Sequence, residues 1–251
     1  MCRHLAYLGP PVSLASLVLD PPHSLYRQSW APSDMRGGGS VNADGFGIGW
    51  YVNDEPVRYR RSVPIWADES LPGLAASIRA SAVLAAVRNG TVGSPLNESA
   101  VGPFVKGQWL FSHNGLIAGW PGSVSKLAEA LPVNELLTLD APMDSALLWA
   151  LIRNRLSTGA PTADAVASVV REVAAAAPDS RLNVLLTDGE QIVATTWTHS
   201  LWVRQTADSV AVSSEPWTTE GWEELPDHSL LVATKSTLAV TPLMEGRQCS
   251  H

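Results

Sequence analysis

Short apolar blocks, bounded by Gly, Pro, Asn or Asp, recur at ten places in the chain: 4–8, 45–52, 57–60, 83–87, 109–113, 182–187, 192–196, 201–204, 210–213 and 230–234. Blocks of this length, rich in β-branched and aromatic residues, predict strands. The pair 182–187 and 192–196, joined by Asp188-Gly189-Glu190-Gln191, predicts a hairpin. The period changes in the middle of the chain. Leu147, Leu148, Leu151, Ile152 and Leu156 fall on one stripe and predict a helix over 144–156. Val166, Val169, Val170 and Val173 predict a second over 162–177, with Thr162 as its cap and Pro178 just past its end. Shorter helices are expected over 13–19, 71–80 and 123–131. Strand runs segregated from helix runs imply an α+β fold with mainly antiparallel sheets. Helices outside two stacked sheets fit the pattern, although periodicity alone does not establish the stacking.

Composition narrows the picture. In 251 residues, 45% are hydrophobic and 16% charged, which implies a well-filled core. Neither a repeat nor a linker interrupts the chain, so one domain over 2–251 is expected. Gly37-Gly38-Gly39 reads as a mobile surface loop, and the polar stretch 246–251 as a disordered tail. A formal charge of −7 argues against nucleic acid and anionic membranes as partners. The first 20 residues lack the features of a signal peptide, and no apolar run approaches the roughly 18 residues of a membrane span. A soluble, cytoplasmic protein is the expectation. The histidines at 4, 23, 113, 199, 228 and 251 make no ligand-spaced pair, so neither a metal nor another cofactor is expected.

Two cysteines occur, at 2 and 249. With no export signal they do not read as a disulfide framework, and Cys249 has no expected role. Cys2 differs. Removal of Met1, which a small second residue permits, would make it the amino terminus, with a thiol and a free α-amine on neighbouring atoms. A thiolate is nucleophilic, and an α-amine with a pKa of about 7.7–8.0 can take the thiol proton at neutral pH.

Other segments offer complementary chemistry. In Phe111-Ser112-His113-Asn114-Gly115, a tight turn at the strand end would aim the Asn114 amide and the Gly115 N–H the same way, as an oxyanion site needs. The same Asn-Gly pair is also the commonest hairpin turn. Arg88, just past an apolar strand, could grip a carboxylate bidentately or form an ordinary salt bridge. Asp144 opens the long helix, where it could be an N-cap or could pair with a substrate ammonium. Asn42-Ala43-Asp44-Gly45-Phe46-Gly47-Ile48-Gly49-Trp50 leads into a strand, not a helix, so it is no phosphate loop. Alternating glycines in a strand signal another backbone at close range.

Taken in order, Cys2, the Asn42–Trp50 motif, Arg88-x-x-Thr91, His113-Asn114-Gly115 and Asp144 resemble the class II glutamine amidotransferase family from residue 1 to about 156. The resemblance implies the four-layer αββα sandwich of N-terminal-nucleophile hydrolases. It implies Cys2 as nucleophile with its own amine as base, and Asn114 and Gly115 as oxyanion donors. Arg88, with Thr91 nearby, would hold the glutamyl α-carboxylate, and Asp144 the α-amine; His113 is grouped with these substrate-binding residues. Asn89 and Val92 depart from some relatives, which bears on the acceptor side. Many such domains feed ammonia to a synthetase domain. Here none is expected, nor an obligate synthetase partner.

The opening nine residues and the segment 19–25 resemble one branch of the family, hydrolases that release glutamate from γ-glutamyl-hercynylcysteine sulfoxide in ergothioneine biosynthesis. A small γ-glutamyl conjugate is therefore the expected substrate. Its trimethylammonium group suits an aromatic wall. Of the ten tryptophans, Trp30, with Tyr26 and Arg36, is the candidate on the leaving-group side. Two other readings are a glutaminase subunit serving a separate synthetase, and a non-catalytic module that binds γ-glutamyl compounds.

Overall fold

A computed structural model describes residues 2–36, 41–91 and 93–244. The triglycine segment, Val92, and the tail with Cys249 lie outside the described residues.

In chain order the strands are β1 (Arg3–Ser13), β2 (Phe46–Val52), β3 (Glu55–Arg61), β4 (Arg79–Val87), β5 (Phe104–Lys106), β6 (Trp109–Leu116), β7 (Arg181–Thr187), β8 (Ile192–Thr195), β9 (Trp202–Gln205), β10 (Val210–Ser213), β11 (Glu223–Glu224), β12 (Ser229–Ala233) and β13 (Leu238–Pro242). The α-helices are α1 (Leu14–Val18), α2 (Leu25–Gln28), α3 (Leu71–Ser77), α4 (Ser125–Ala128), α5 (Val133–Leu137), α6 (Asp144–Ser157) and α7 (Thr162–Ala176). One sheet has the order β11-β9-β10-β1-β4-β2-β3 and the other β13-β12-β8-β7-β6-β5. The predicted hairpin is present, with Thr187 opposite Ile192.

Strand alternation divides the apolar residues among three layers. Leu5 and Tyr7 of β1, with Val83, Ala85 and Val87 of β4, face outward onto α1 and α3. Ala6, Leu8, Ala82 and Leu84 face inward, against Leu110, Leu185 and Leu231 of the second sheet. Phe111, Val184 and Leu186 on that sheet's outer face pack under α6 and α7, with Trp149 stacked on Phe111 at 5.0 Å. The result is the αββα order of layers. Gly47 and Gly49 of β2 have no room for a side chain. A Cβ on Gly47 would lie 2.2 Å from the Gly102 carbonyl oxygen, and one on Gly49 2.7 Å from Leu110 Cδ2.

Several expectations needed correction. Asn114 and Gly115 are not a turn: β6 runs through them, opposite Asn183 and Leu182 of β7. Thr162 does not cap α7, whose N-cap is Pro161, and Met143 rather than Asp144 caps α6. The helix expected over 71–80 ends at Ser77 because β4 starts at Arg79 and pairs with Ser13 of β1. Among the described residues, no helix is long and apolar enough to cross a membrane.

Candidate active site

Cys2 lies immediately before β1, half-buried at one end of the seven-stranded sheet. Alternation gives it the same face as His4, Ala6 and Leu8, between the sheets. Its Sγ is 3.8 Å from the Asn89 carbonyl oxygen, to which the thiol can donate. The antiparallel register that sets Arg3 against Val87 brings Cys2 alongside Arg88. A small cavity of about 30 Å³ is lined by Cys2, Arg88, Ser112, His113, Met143 and Ser145. Met143 also borders a cleft of about 450 Å³ that includes Thr91, Ser94, Trp120 and Asp144. The two spaces together bring Cys2, Arg88, Thr91 and Asp144 to one end of the sandwich.

Arg88 is 6% exposed, yet only part of its guanidinium is occupied. Nη2 donates to Ser94 Oγ at 2.8 Å, whereas Nη1 is buried with no partner in the protein. A buried cationic fork with a free arm is suited to a carboxylate. Its backbone is held from both sides: Arg88 N–H donates to the Gly45 carbonyl at 2.8 Å, and Asp44 N–H to the Arg88 carbonyl at 3.0 Å. The Asp44 carboxylate takes the Gly90 N–H at 2.7 Å. Asp44 therefore anchors the Arg88 loop, a task that the glycines around it concealed in the sequence. Thr91 is exposed on the cleft, and its carbonyl closes a turn with the Ser94 N–H at 2.9 Å.

Asp144 is the first residue of α6. One carboxylate oxygen accepts the Ile117 N–H at 2.9 Å and the other the Ser145 N–H at 2.8 Å. Both bonds orient the half-buried carboxylate at the cleft wall. The positive end of the helix stabilises its charge.

Asn114 is 1% exposed and shares the inner face with Ser112 and His4. Its amide stands 3.5 Å from Ser214 Oγ, which already accepts the His4 N–H at 3.0 Å. The Ser214 proton therefore needs an acceptor, and Asn114 Oδ1 is otherwise buried without a partner. Hydrogen bonding decides which end of an amide is which. With Oδ1 turned to Ser214, both groups are satisfied and the amide NH₂ is left free to donate elsewhere.

His113 points the other way, beneath α6. Its Nε2 is 2.9 Å from the Arg181 carbonyl, so that nitrogen carries the proton, and Nδ1 accepts from the Ser145 hydroxyl at 2.9 Å. Burial pushes its pKa below the usual histidine value, against the opposing pull of Asp144. Both ring nitrogens are used within the protein, so its polar role is to support the strand beside Asn114.

Among the described residues, the cavities that include Cys2 and Asp144 are not lined by Trp30. It is 41% exposed, and the Arg27 guanidinium covers its ring at 3.9 Å. Arg36 is engaged with Asp34 at 2.7 Å and Glu224 at 3.1 Å.

A cluster around Glu215 gave no signal in the sequence. Arg3 Nε donates to its carboxylate at 2.9 Å, Nη1 donates to the Cys2 carbonyl at 3.1 Å, and Nη2 bonds the Asp34 carbonyl. His23 and the Ser33 and Asp34 N–H groups complete the shell, at 2.6, 2.8 and 3.3 Å. Burial alone would raise the Glu215 pKa. The bonds from His23 and Ser33, the charge of Arg3 and the Asp34 N–H outweigh it and hold the carboxyl below its usual range. This ion pair fixes the backbone of Cys2.

Known proteins give this geometry a context. The profile described as glutamine amidotransferases class-II matches residues 17–212. A protein of Mycolicibacterium smegmatis named gamma-glutamyl-hercynylcysteine sulfoxide hydrolase is 41% identical over 246 residues, 97% of this chain and 100% of that protein. A Mycobacterium tuberculosis protein of the same name is 38% identical over 244 residues, 97% of each. Among solved structures, a glutamine aminotransferase class-II domain protein from Silicibacter pomeroyi superposes with a TM-score of 0.69 at 24% identity, covering 97% of this chain and 100% of its own. The glutamine phosphoribosylpyrophosphate amidotransferase of B. subtilis gives 0.70 at 13% identity, covering 98% of this chain and 50% of its own. At these identities the structural likenesses establish the fold alone.

Proposed function

The chain belongs to the class II glutamine amidotransferase family, and from that premise we propose that it hydrolyses the γ-glutamyl amide of γ-glutamyl-hercynylcysteine sulfoxide, releasing glutamate and hercynylcysteine sulfoxide. The observation that carries the reading is Arg88: a buried guanidinium beside Cys2 with one arm unpaired, across Met143 from the Asp144 carboxylate. A cation and an anion on the walls of two spaces that share Met143 offer partners to the α-carboxylate and α-ammonium of a glutamyl group. The two mycobacterial relatives, similar over nearly their full lengths, support the choice of conjugate.

In this reading Met1 is removed and the Cys2 α-amine takes the thiol proton, through a water. The thiolate attacks the γ-carbonyl carbon and forms a C–S bond. The Asn114 amide and Gly115 N–H donate to the oxyanion, a contribution typically worth about 3–4 kcal/mol per donor. The C–N bond breaks as the α-ammonium protonates the leaving nitrogen. Water then attacks the thioester, the C–S bond breaks, and glutamate and the free thiol are released. Because water is the acceptor, the chain acts as one catalytic unit without a synthetase partner.

The test is glutamate release from the sulfoxide conjugate beside free glutamine, using protein that begins at Cys2, its Cys2→Ala variant, and a form that retains Met1. Preference for the conjugate, lost in both altered forms, is expected. Turnover by Cys2→Ala would end the mechanism. Preference for glutamine would instead favour a glutaminase that serves a separate synthetase.

A further inference from the structure

His4 and Ser112 hold one more proton between them than the protein accepts. Strand alternation sends Cys2 and His4 into the space between the sheets from one side, and Ser112 and Asn114 from the other. Both His4 and Ser112 are buried. His4 Nδ1 lies 3.2 Å from Ser112 Oγ, and among the described residues this is the only hydrogen bond of either side chain. Burial and the neighbouring positive groups push the His4 pKa down to about 3, so the ring is neutral. A neutral imidazole carries one N–H and the hydroxyl one O–H, so the pair has two donors and a single bond. One donor is left over in either tautomer. On Nε2 it would be buried with no acceptor in the protein. If Nδ1–H donates to Ser112 instead, the hydroxyl proton is the one left over, and it can turn to a polar cavity.

Ser112 lines the cavity of about 30 Å³ beside Cys2. That space takes a water or two and is too small for a glutamyl group. In the proposed mechanism the γ-carbonyl meets Asn114 and Gly115, and neither lines this cavity. Of its polar walls, His113 and Ser145 are bonded to each other, and Arg88 is reserved for the substrate carboxylate. Ser112 and Cys2 are left to hold what enters. We propose that Ser112, its hydroxyl turned by His4 into the cavity, holds the water through which Cys2 loses its thiol proton. Ser112 is a positioning residue, and it donates to the water oxygen. The thiol proton passes to this water as one of the water's own protons passes to the α-amine, and the electron pair stays on sulfur. The same water then donates to the thiolate and stabilises it.

The proposal rests on Cys2 being the amino-terminal nucleophile, but not on which amide is cleaved, and it can be tested without substrate. Cys249→Ser leaves Cys2 as the one thiol of the chain. In that protein, beginning at Cys2, the rate of alkylation by iodoacetamide from about pH 5 to 10 reads the thiolate, the form that reacts. Ser112→Ala is expected to slow alkylation at pH 7 about tenfold, the worth of one hydrogen bond to a charged group. The midpoint of the pH profile should move up by about one pH unit, and the alkaline plateau should stay where it is. Ser112→Thr, which keeps the hydroxyl, should restore the midpoint. With the γ-glutamyl substrate, kcat of Ser112→Ala should fall by a similar factor while KM holds. An unmoved midpoint overturns the proposal. So does an equal loss at every pH, which marks a general disturbance of the site. Where Ser112→Ala does not fold, Ser112→Thr and Ser112→Val, alike in shape, isolate the hydroxyl, and equal midpoints for the two overturn it as well. Failure of the hydrolase reading appears separately, as no Cys2-dependent glutamate release from any γ-glutamyl compound.

Discussion

The carbonyl oxygen of Arg181 fills the space that a side chain on Gly115 would need: an ideal Cβ there would lie 1.8 Å from it, and 2.8 Å from His113 Nε2. Backbone cannot swing aside as a flexible side chain can. We expect Gly115→Ala to push β6 away from β7, costing about 1–3 kcal/mol of stability. The shift also moves the Asn114–Gly115 donors, so kcat should fall about 100-fold. Thermal unfolding and steady-state kinetics on the same preparation check both effects. Near-wild-type kcat would remove Gly115 from the oxyanion site.

The unpaired arm of Arg88 makes a sharp prediction about lysine. Arg88→Lys keeps the charge but loses the fork that can serve Ser94 and a carboxylate together. KM for the γ-glutamyl substrate should rise about 10- to 100-fold, with a matching loss of competitive inhibition by glutamate. Ser94→Ala, which only frees the second arm, should have a much smaller effect. Equal kinetics for Arg88→Lys and wild type would contradict bidentate binding.

Ser214 should matter to catalysis without touching the substrate. Its hydroxyl accepts the His4 N–H and sets the direction of the Asn114 amide. Ser214→Ala is expected to lower kcat about tenfold while KM holds, and to cost about 1–3 kcal/mol because the buried His4 N–H loses its acceptor. Ser214→Thr, which keeps the hydroxyl, should recover kcat. A merely structural serine would lower stability and leave kcat per folded molecule unchanged.

Acid should weaken the fold through two histidines. Burial, reinforced by neighbouring positive groups, pushes His4 and His199 down to about 3. An unfolded imidazole takes its proton near pH 6.5. Between those values the unfolded chain binds more protons, so stability is complete above pH 6.5 and is lost as pH falls toward 3. Each ring should contribute roughly 1 kcal/mol per pH unit across that window. Urea unfolding at pH 4, 5 and 6.5 checks the slope, and His4→Asn should reduce it by one proton. A flat profile over this range would mean that the two rings are not held neutral.

Legibility in the sequence followed the reach of each interaction. The hairpin of β7 and β8, the boundaries of β10, and the amphipathic helix α7 were readable because neighbouring residues set the period and the turn; α6 was found as a helix, but it is buried on every side from Ser145 to Ile152 and not along one stripe. The glycine alternation at Gly47 and Gly49 was readable as a close approach, though not what approaches; that is Gly102 and Leu110, more than 50 residues away. The strands β5, β11 and β13 and the helices α2 and α5 were not read from the sequence. The three strands exist through their pairing with β6, β9 and β12 and not through their own pattern.

By itself the sequence determined the chemical groups and their order: Cys2, Arg88, Thr91, Asn114, Gly115 and Asp144. It also placed them at strand ends and at a helix start. Only the tertiary structure decided how they are held. Asn114-Gly115 has a strong turn preference, but pairing with Asn183 and Leu182 keeps it extended, because the ladder with β7 offers bonds that a turn would forfeit. Arg3 and Glu215 are 212 residues apart, and no local pattern links them. Their pairing follows from β1 and β10 lying side by side, and it is this long-range register that fixes Cys2 at the mouth of the site.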